Sequence, residues 1–137
     1  MKKSVFIATS YNHRTAIENI LMSIKKIVNE FGFEPIVFVN SYEQEGVNYK
    51  KMQNDAFLHI DQSVVVIAEL SHKAIGVGIE MGYAKARNKP IIYLHNDASE
   101  ISTTTLGIAE DEIVYRDQED LETKLRKSLQ YLFSERI

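Results

Sequence analysis

From Ser63 to Leu94 the chain reads SVVVIAELSHKAIGVGIEMGYAKARNKPIIYL, and it sets one carboxylate, Glu80, among Gly76, Gly78 and Gly82. Glycines let backbone and ligand approach closely. A carboxylate held at such a point is suited to attack or stabilise the electron-poor anomeric carbon of a breaking glycosidic bond, and needs no metal to do so. The competing reading is structural, because an acid in the first turn of a helix is favoured by the helix dipole. The residues alone leave both open.

Glycosidic chemistry ordinarily uses two carboxyl groups, one of them as an acid toward the leaving group. Asp55 supplies the second if its helix faces the same cleft, whereas the four-residue spacing from Asp55 to His59 needs mean no more than a solvated helix face. Glu69, at the end of an apolar run, competes for that role or binds sugar hydroxyls. Upstream, the segment Ser10, Tyr11, Asn12, His13 and Arg14 follows a first apolar run and precedes a helical pattern. Backbone donors there, with Ser10, His13 and Arg14, suit a phosphate, although the segment lacks the glycines and lysine of a nucleotide-binding P-loop. Plain helix capping is the alternative.

The remaining reactive types are sparse. His13, His59, His72 and His95 show no metal-ligand spacing, and the chain has no cysteine, which removes thiolate catalysis, thiolate metal sites and disulfides. Neither a metal nor a cofactor is expected. Tyr83 is expected to pack against a sheet rather than bind a base.

The elements that must position these residues follow from hydrophobic spacing. Ser63 to Ala68 and Pro90 to Leu94 lack polar alternation, so both are expected as strands covered on two faces, as in a parallel sheet. With the short helix between them they form a βαβ unit. Ser4 to Thr9 predicts a first strand and Pro35 to Val39 a second, each proline sitting at a strand start. Ile17, Leu21, Ile24, Val28 and Phe31 recur at helical spacing up to a stop at Gly32. Tyr49 to Ile60 predicts a helix with a weaker apolar face, His95 to Gly107 a loop, Ile113 to Tyr115 a short last strand, and Leu121, Leu125, Leu129 and Leu132 a closing helix. Five strands alternating with helices predict an α/β fold, a flavodoxin-like three-layer sandwich with a five-stranded parallel sheet. Right-handed crossovers would then bring Thr9 to Arg14, Glu69 to Glu80 and Asn96 to Thr105 to one edge.

Size and charge narrow the classes further. The 137 residues, 45% of them hydrophobic, suit one folded domain. A formal charge of -3 gives no general nucleic-acid footprint. No apolar run reaches membrane-spanning length, and MKKSVFIATS does not read as a signal peptide, so a cytoplasmic protein without membrane partners is expected.

The segment AELSHKAIGVGIEMGYAKARNKPIIYL resembles the nucleoside 2-deoxyribosyltransferase superfamily, and within it the branch of 2'-deoxynucleoside 5'-phosphate N-hydrolases. The specific part is a strand ending in AEL, a spacer, then GVG-x-E-x-G-x-A, then KP and another apolar strand. The resemblance implies one such domain over residues 1–137, with Glu80 as the nucleophile that attacks C1' and expels the base. Asp55 matches the upstream acid that protonates the leaving base after a one-residue adjustment; ungapped matching lands on Ala56. Thr9 or Ser10 matches the first-loop phosphate or sugar contact, and Gly76 and Gly78 fall in the substrate-binding turn. Ser102 resembles the serine given across a dimer to a neighbour's phosphate site, which implies a homodimer or higher homo-oligomer. Phe6 and Tyr11 would pack against the base, and Ser10 and Arg14 would hold phosphate.

Three positions depart from that pattern. Phe6 or Val5 stands where the branch has a tyrosine, Ala74 where it has a phosphate-binding serine, and Ala8 alters the first loop. Gly76, Val77 and Gly78 replace the Asp-Ser-Gly of the classical transferases. The expected function is N-glycosidic cleavage of a 2'-deoxynucleoside 5'-monophosphate or related nucleoside through a covalent glutamyl-sugar intermediate. The alternatives are transfer of deoxyribose between bases and a non-catalytic nucleotide-sensing domain.

Overall fold

A computed structural model describes residues 2–10, 15–37 and 48–135. Five strands, β1 (Ser4–Thr9), β2 (Glu34–Val37), β3 (Ser63–Glu69), β4 (Ile91–Asn96) and β5 (Asp111–Tyr115), form one sheet in the order β2-β1-β3-β4-β5. Every neighbouring pair is parallel. The helices are α1 (Glu18–Glu30), preceded by a 3-10 turn, α2 (Tyr49–Asp61), α3 (Ile75–Ala86), the short α4 (Thr103–Leu106) and α5 (Gln118–Glu135). This is the expected flavodoxin-like arrangement.

The continuous apolar strands explain the layering. Alternate residues point to opposite faces, so Val5, Ile7, Val65, Ile67, Ile92 and Leu94 pack under α1 and α5, while Phe6, Ala8, Val66, Ala68, Ile91 and Tyr93 pack under α2 and α3. A fully buried Val or Ile contributes about 1.5–3 kcal/mol, and both faces of the three central strands are furnished with such residues. Side-chain bonds tie α1 to α5, notably Arg126 to Glu30 and Lys26 to Glu122.

Helix ends follow local chemistry. Gly32, at φ 79°, ends α1 with Phe33 N donating to Val28 O and Gly32 N to Asn29 O, the Schellman pattern. Asn88, at φ 60°, does the same for α3 through Lys89 N to Ala84 O and Asn88 N to Lys85 O. At the start of α2, Asn48 Oδ1 accepts from Lys51 N.

Some expectations needed correction. β4 runs on through His95 and Asn96, because pairing with β5 up to Tyr115 satisfies their backbone. The stretch expected as one loop from His95 to Gly107 therefore contains the end of a strand and α4. Tyr83 stacks on Phe57 of α2, with centroids 4.1 Å apart, so its contact is interhelical. Val39, expected in the second strand, lies outside the described residues. Among the described residues no helix is long and apolar enough to cross a membrane.

Candidate active site at the carboxyl edge of the sheet

From β1 the chain moves outward to β2, whereas β3 lies on the other side of β1, so the connections leaving β1 and β3 diverge. Such a switch point opens a crevice outside the carboxyl ends of the strands. Thr9 and Glu69, the last residues of β1 and β3, are partners in the register there. The segment from Leu70 to Ala74 then leads into α3, which packs across β1, β3 and β4.

Glu80 lies on the sheet-facing side of α3 with Val77, Met81 and Ala84, and is 9% exposed. Among the described residues it makes no hydrogen bond and no ion pair. Burial pushes its carboxyl up to about 8, because the charged form has lost water without gaining a partner. It is not a first-turn residue: α3 begins five positions earlier, at Ile75. The dipole reading of this acid therefore loses its geometry.

Glu69 is placed differently. It is 1% exposed and faces α1 and α5, away from α3. Its Oε1 accepts from Ser71 N at 2.8 Å, and its Oε2 from Ser71 Oγ at 2.7 Å and from the Tyr115 hydroxyl. Asn96 N donates to Ser71 Oγ at 2.9 Å, so one carboxyl group ties together the ends of β3, β4 and β5. Burial, and then the Glu69 carboxylate beside it, push the Tyr115 hydroxyl above the ordinary phenol range. Thr9 Oγ1, on the same side of the sheet, is buried with no hydrogen-bond partner among the described residues.

Asp55 projects from α2 and pairs with Lys51 Nζ at 2.6 Å. On this helix Ala56 and Ile60 face the sheet, and Phe57 and Asp61 face α3. Asp55 stands about 200° round from Phe57, on the remaining flank. The structure thus puts both helices that carry the expected pair of acids on one face of the sheet, while Glu69 and Thr9 point to the other.

The other expected positions divide as follows. Ser10 is buried just past β1, and Phe6 is fully buried in the core beneath α2 and α3. Tyr11 and Arg14 lie outside the described residues. A Cβ on Gly76 would meet nothing within 4 Å, and one on Gly78 would meet only Thr105 Cγ2 at 3.9 Å. Both adopt ordinary helical backbone, so what they contribute is a low surface at the start of α3. Ser102 lines a groove of about 270 Å3 with Leu70, Lys73, Ala74, Ile75 and Thr105. Its backbone N donates to the Tyr93 hydroxyl at 3.1 Å.

One group escaped the sequence reading, and another was read there only as a histidine without metal-ligand spacing. Asp61 accepts from the Tyr83 hydroxyl and from Arg87 Nε, each at 2.8 Å. His95 is 3% exposed, with Nε2 2.9 Å from Glu112 Oε2 and Nδ1 near Asn96 O and Ser99 Oγ. The i, i+4 spacing of Tyr83 and Arg87 signals a shared flank, but nothing local points to Asp61.

The family profile described as nucleoside 2-deoxyribosyltransferase matches residues 5–126. The chain belongs to that family. No curated protein matches it by sequence. Solved structures similar to this nucleoside 2-deoxyribosyltransferase family member include the CMP N-glycosidase of Clostridium botulinum, 19% identical over 90% of this chain and 98% of that one, with a TM-score of 0.67. A 2-deoxyribosyltransferase from Bacillus psychrosaccharolyticus is 12% identical over 87% and 90%, also at 0.67. A conserved protein of Enterococcus faecalis is 13% identical over 93% and 99%, at 0.73. At these identities the likeness is one of fold.

Proposed function

We propose that this family member cleaves the N-glycosidic bond of a 2'-deoxynucleoside 5'-monophosphate or related nucleoside. The observation that carries the reading is Glu80: a buried carboxyl without a partner among the described residues, on the glycine-rich helix that follows β3. In its ionised form a Glu80 oxygen attacks C1', and the C1'–N bond breaks with its electron pair leaving on the base. The departing base takes a proton, from water or from Asp55, whose flank of α2 is turned away from α3. Water then attacks C1' and releases Glu80, and an acceptor base in place of water gives transfer instead.

Family membership supports N-glycosidic chemistry, and the solved relatives bear names of both kinds, an N-glycosidase and a deoxyribosyltransferase. Ser10, Arg14 and a neighbouring subunit's Ser102 are proposed to receive the phosphate. The test is release of free base from a panel of deoxynucleoside 5'-monophosphates and deoxynucleosides, with and without an acceptor base, and with Glu80→Gln as control. Release by the wild type alone is expected, and the product separates hydrolysis from transfer. A folded protein that binds these compounds and releases nothing would be a nucleotide sensor.

A further inference from the structure

The helix that carries Glu80 has little with which to fix its own position. α3 reads IGVGIEMGYAKA; Gly76, Gly78 and Gly82 weaken the helix itself, and the residues it buries are Val77, Glu80, Met81 and Ala84. Val77 and Met81 are the large buried apolar side chains it offers. With two large apolar side chains seated in the core, the rotation and height of α3 depend also on what its flank contacts.

That grip is on its flank. Tyr83 and Arg87 lie about one and two turns beyond Glu80, and both bond the Asp61 carboxylate at the end of α2. Phe57, one turn before Asp61, stacks on the Tyr83 ring at an interplanar angle of 14°. Arg87 covers that ring with its guanidinium 5.7 Å from the centroid. The two oxygens of Asp61 are used separately, Oδ2 by Tyr83 and Oδ1 by Arg87, which fixes α3 in both rotation and height. Bonding to Tyr83 and Arg87 holds the Asp61 carboxyl below its usual range.

We propose that Asp61 is a positioning residue: through Tyr83 and Arg87 it sets α3 against α2, and so sets Glu80 relative to Asp55. The inference rests on the proposed base cleavage for its functional meaning, though not for its test. A misplacement of about 1 Å at a reacting group lowers rate by about a hundredfold, whereas exposed ion pairs like this one add little stability. Breaking the link therefore acts on turnover more than on folding.

The experiment compares Asp61→Asn, Asp61→Leu, Tyr83→Phe and Asp61→Asn/Tyr83→Phe with the wild type. Arg126→Ala, which removes the α1–α5 ion pair with Glu30, serves as control. Expected is a fall in kcat of about tenfold or more for Asp61→Leu, with KM within about twofold. Asp61→Asn, which keeps an acceptor for Tyr83, should fall less, and Arg126→Ala should match the wild type. The double variant should be no worse than Asp61→Leu, since all of them cut one link.

The second readout is the Glu80 carboxyl titration, followed by carbon-13 NMR in the same proteins. If the clasp keeps Glu80 buried, its midpoint falls by about one pH unit or more in Asp61→Leu, and this is readable whether or not the protein cleaves anything. A wild type that releases no base overturns the cleavage reading, while the titration still decides the role of Asp61. An unchanged Glu80 midpoint in a folded Asp61→Leu protein, with kcat unchanged where activity exists, overturns the positioning role.

Discussion

Glu80 carries a cost that no neighbour offsets, and that cost has a sign. Its carboxyl titrates near 4.5 when unfolded and at about 8 in the fold, so the folded state holds the proton more tightly across that window. Stability is therefore undiminished below about pH 4.5, declines as pH rises, and levels off above about 8, a loss on the order of 5 kcal/mol at most. Glu80→Gln keeps the shape and removes the charge. Its melting temperature is expected to match the wild type near pH 4 and to exceed it increasingly up to pH 8; a gap that does not grow with pH would contradict the burial argument. The same shift has a kinetic counterpart. A nucleophilic Glu80 must be ionised, so kcat/KM for base release should climb as pH rises toward about 8. A profile that falls over that range would make Glu80 an acid instead.

At the level of elements, Glu69 acts as a knot. Three donors from Ser71 and Tyr115 converge on its two oxygens, and Asn96 reaches them through Ser71. These bonds hold the segment between β3 and α3, and through it the start of the helix that carries Glu80. Tyr115→Phe removes one donor and should cost about 1–2 kcal/mol, whereas Glu69→Gln sets an amide against donors and should cost about 2–4 kcal/mol. Urea midpoints at constant slope would report both, and a smaller loss for Glu69→Gln than for Tyr115→Phe would show that the network is not centred on the carboxylate. The edge strand is managed in a similar way. Lys124 Nζ donates to Val114 O at 2.7 Å, and Asp111 Oδ1 accepts from Glu112 N, so side chains of the protein itself cover positions along β5 that would otherwise invite another strand.

For the whole molecule, the strand order creates the crevice, and Ser102 tests whether one copy completes it. If Ser102 serves a neighbour's phosphate, mixing Glu80→Gln with Ser102→Ala subunits yields an assembly in which one site holds both native residues. Base release from a nucleoside monophosphate should then exceed the sum of the separate variants. Were Ser102 to serve its own subunit, every site in the mixture would be defective and no recovery would appear. Light scattering on the same samples gives the number of subunits.

What the sequence determined was whatever burial makes periodic or glycine makes conspicuous. Continuous Val and Ile runs had to be covered on both faces, which implied a parallel sheet, and Gly76, Gly78 and Gly82 mark out Glu80. Gly32 announced the end of α1 because few other residues adopt a positive φ; Asn88 did the same work with a fainter signal. The tertiary structure alone decided partnership. Asp61 lies 22 residues from Tyr83 and 26 from Arg87, and Glu69 lies 46 from Tyr115, so no local pattern links them. It also gave two acids of one segment opposite surroundings. Glu69 is saturated by donors on one face of the sheet, while Glu80 is buried and unpaired on the other, because strand alternation and helix packing, rather than residue type, decide which carboxyl group finds a hydrogen bond.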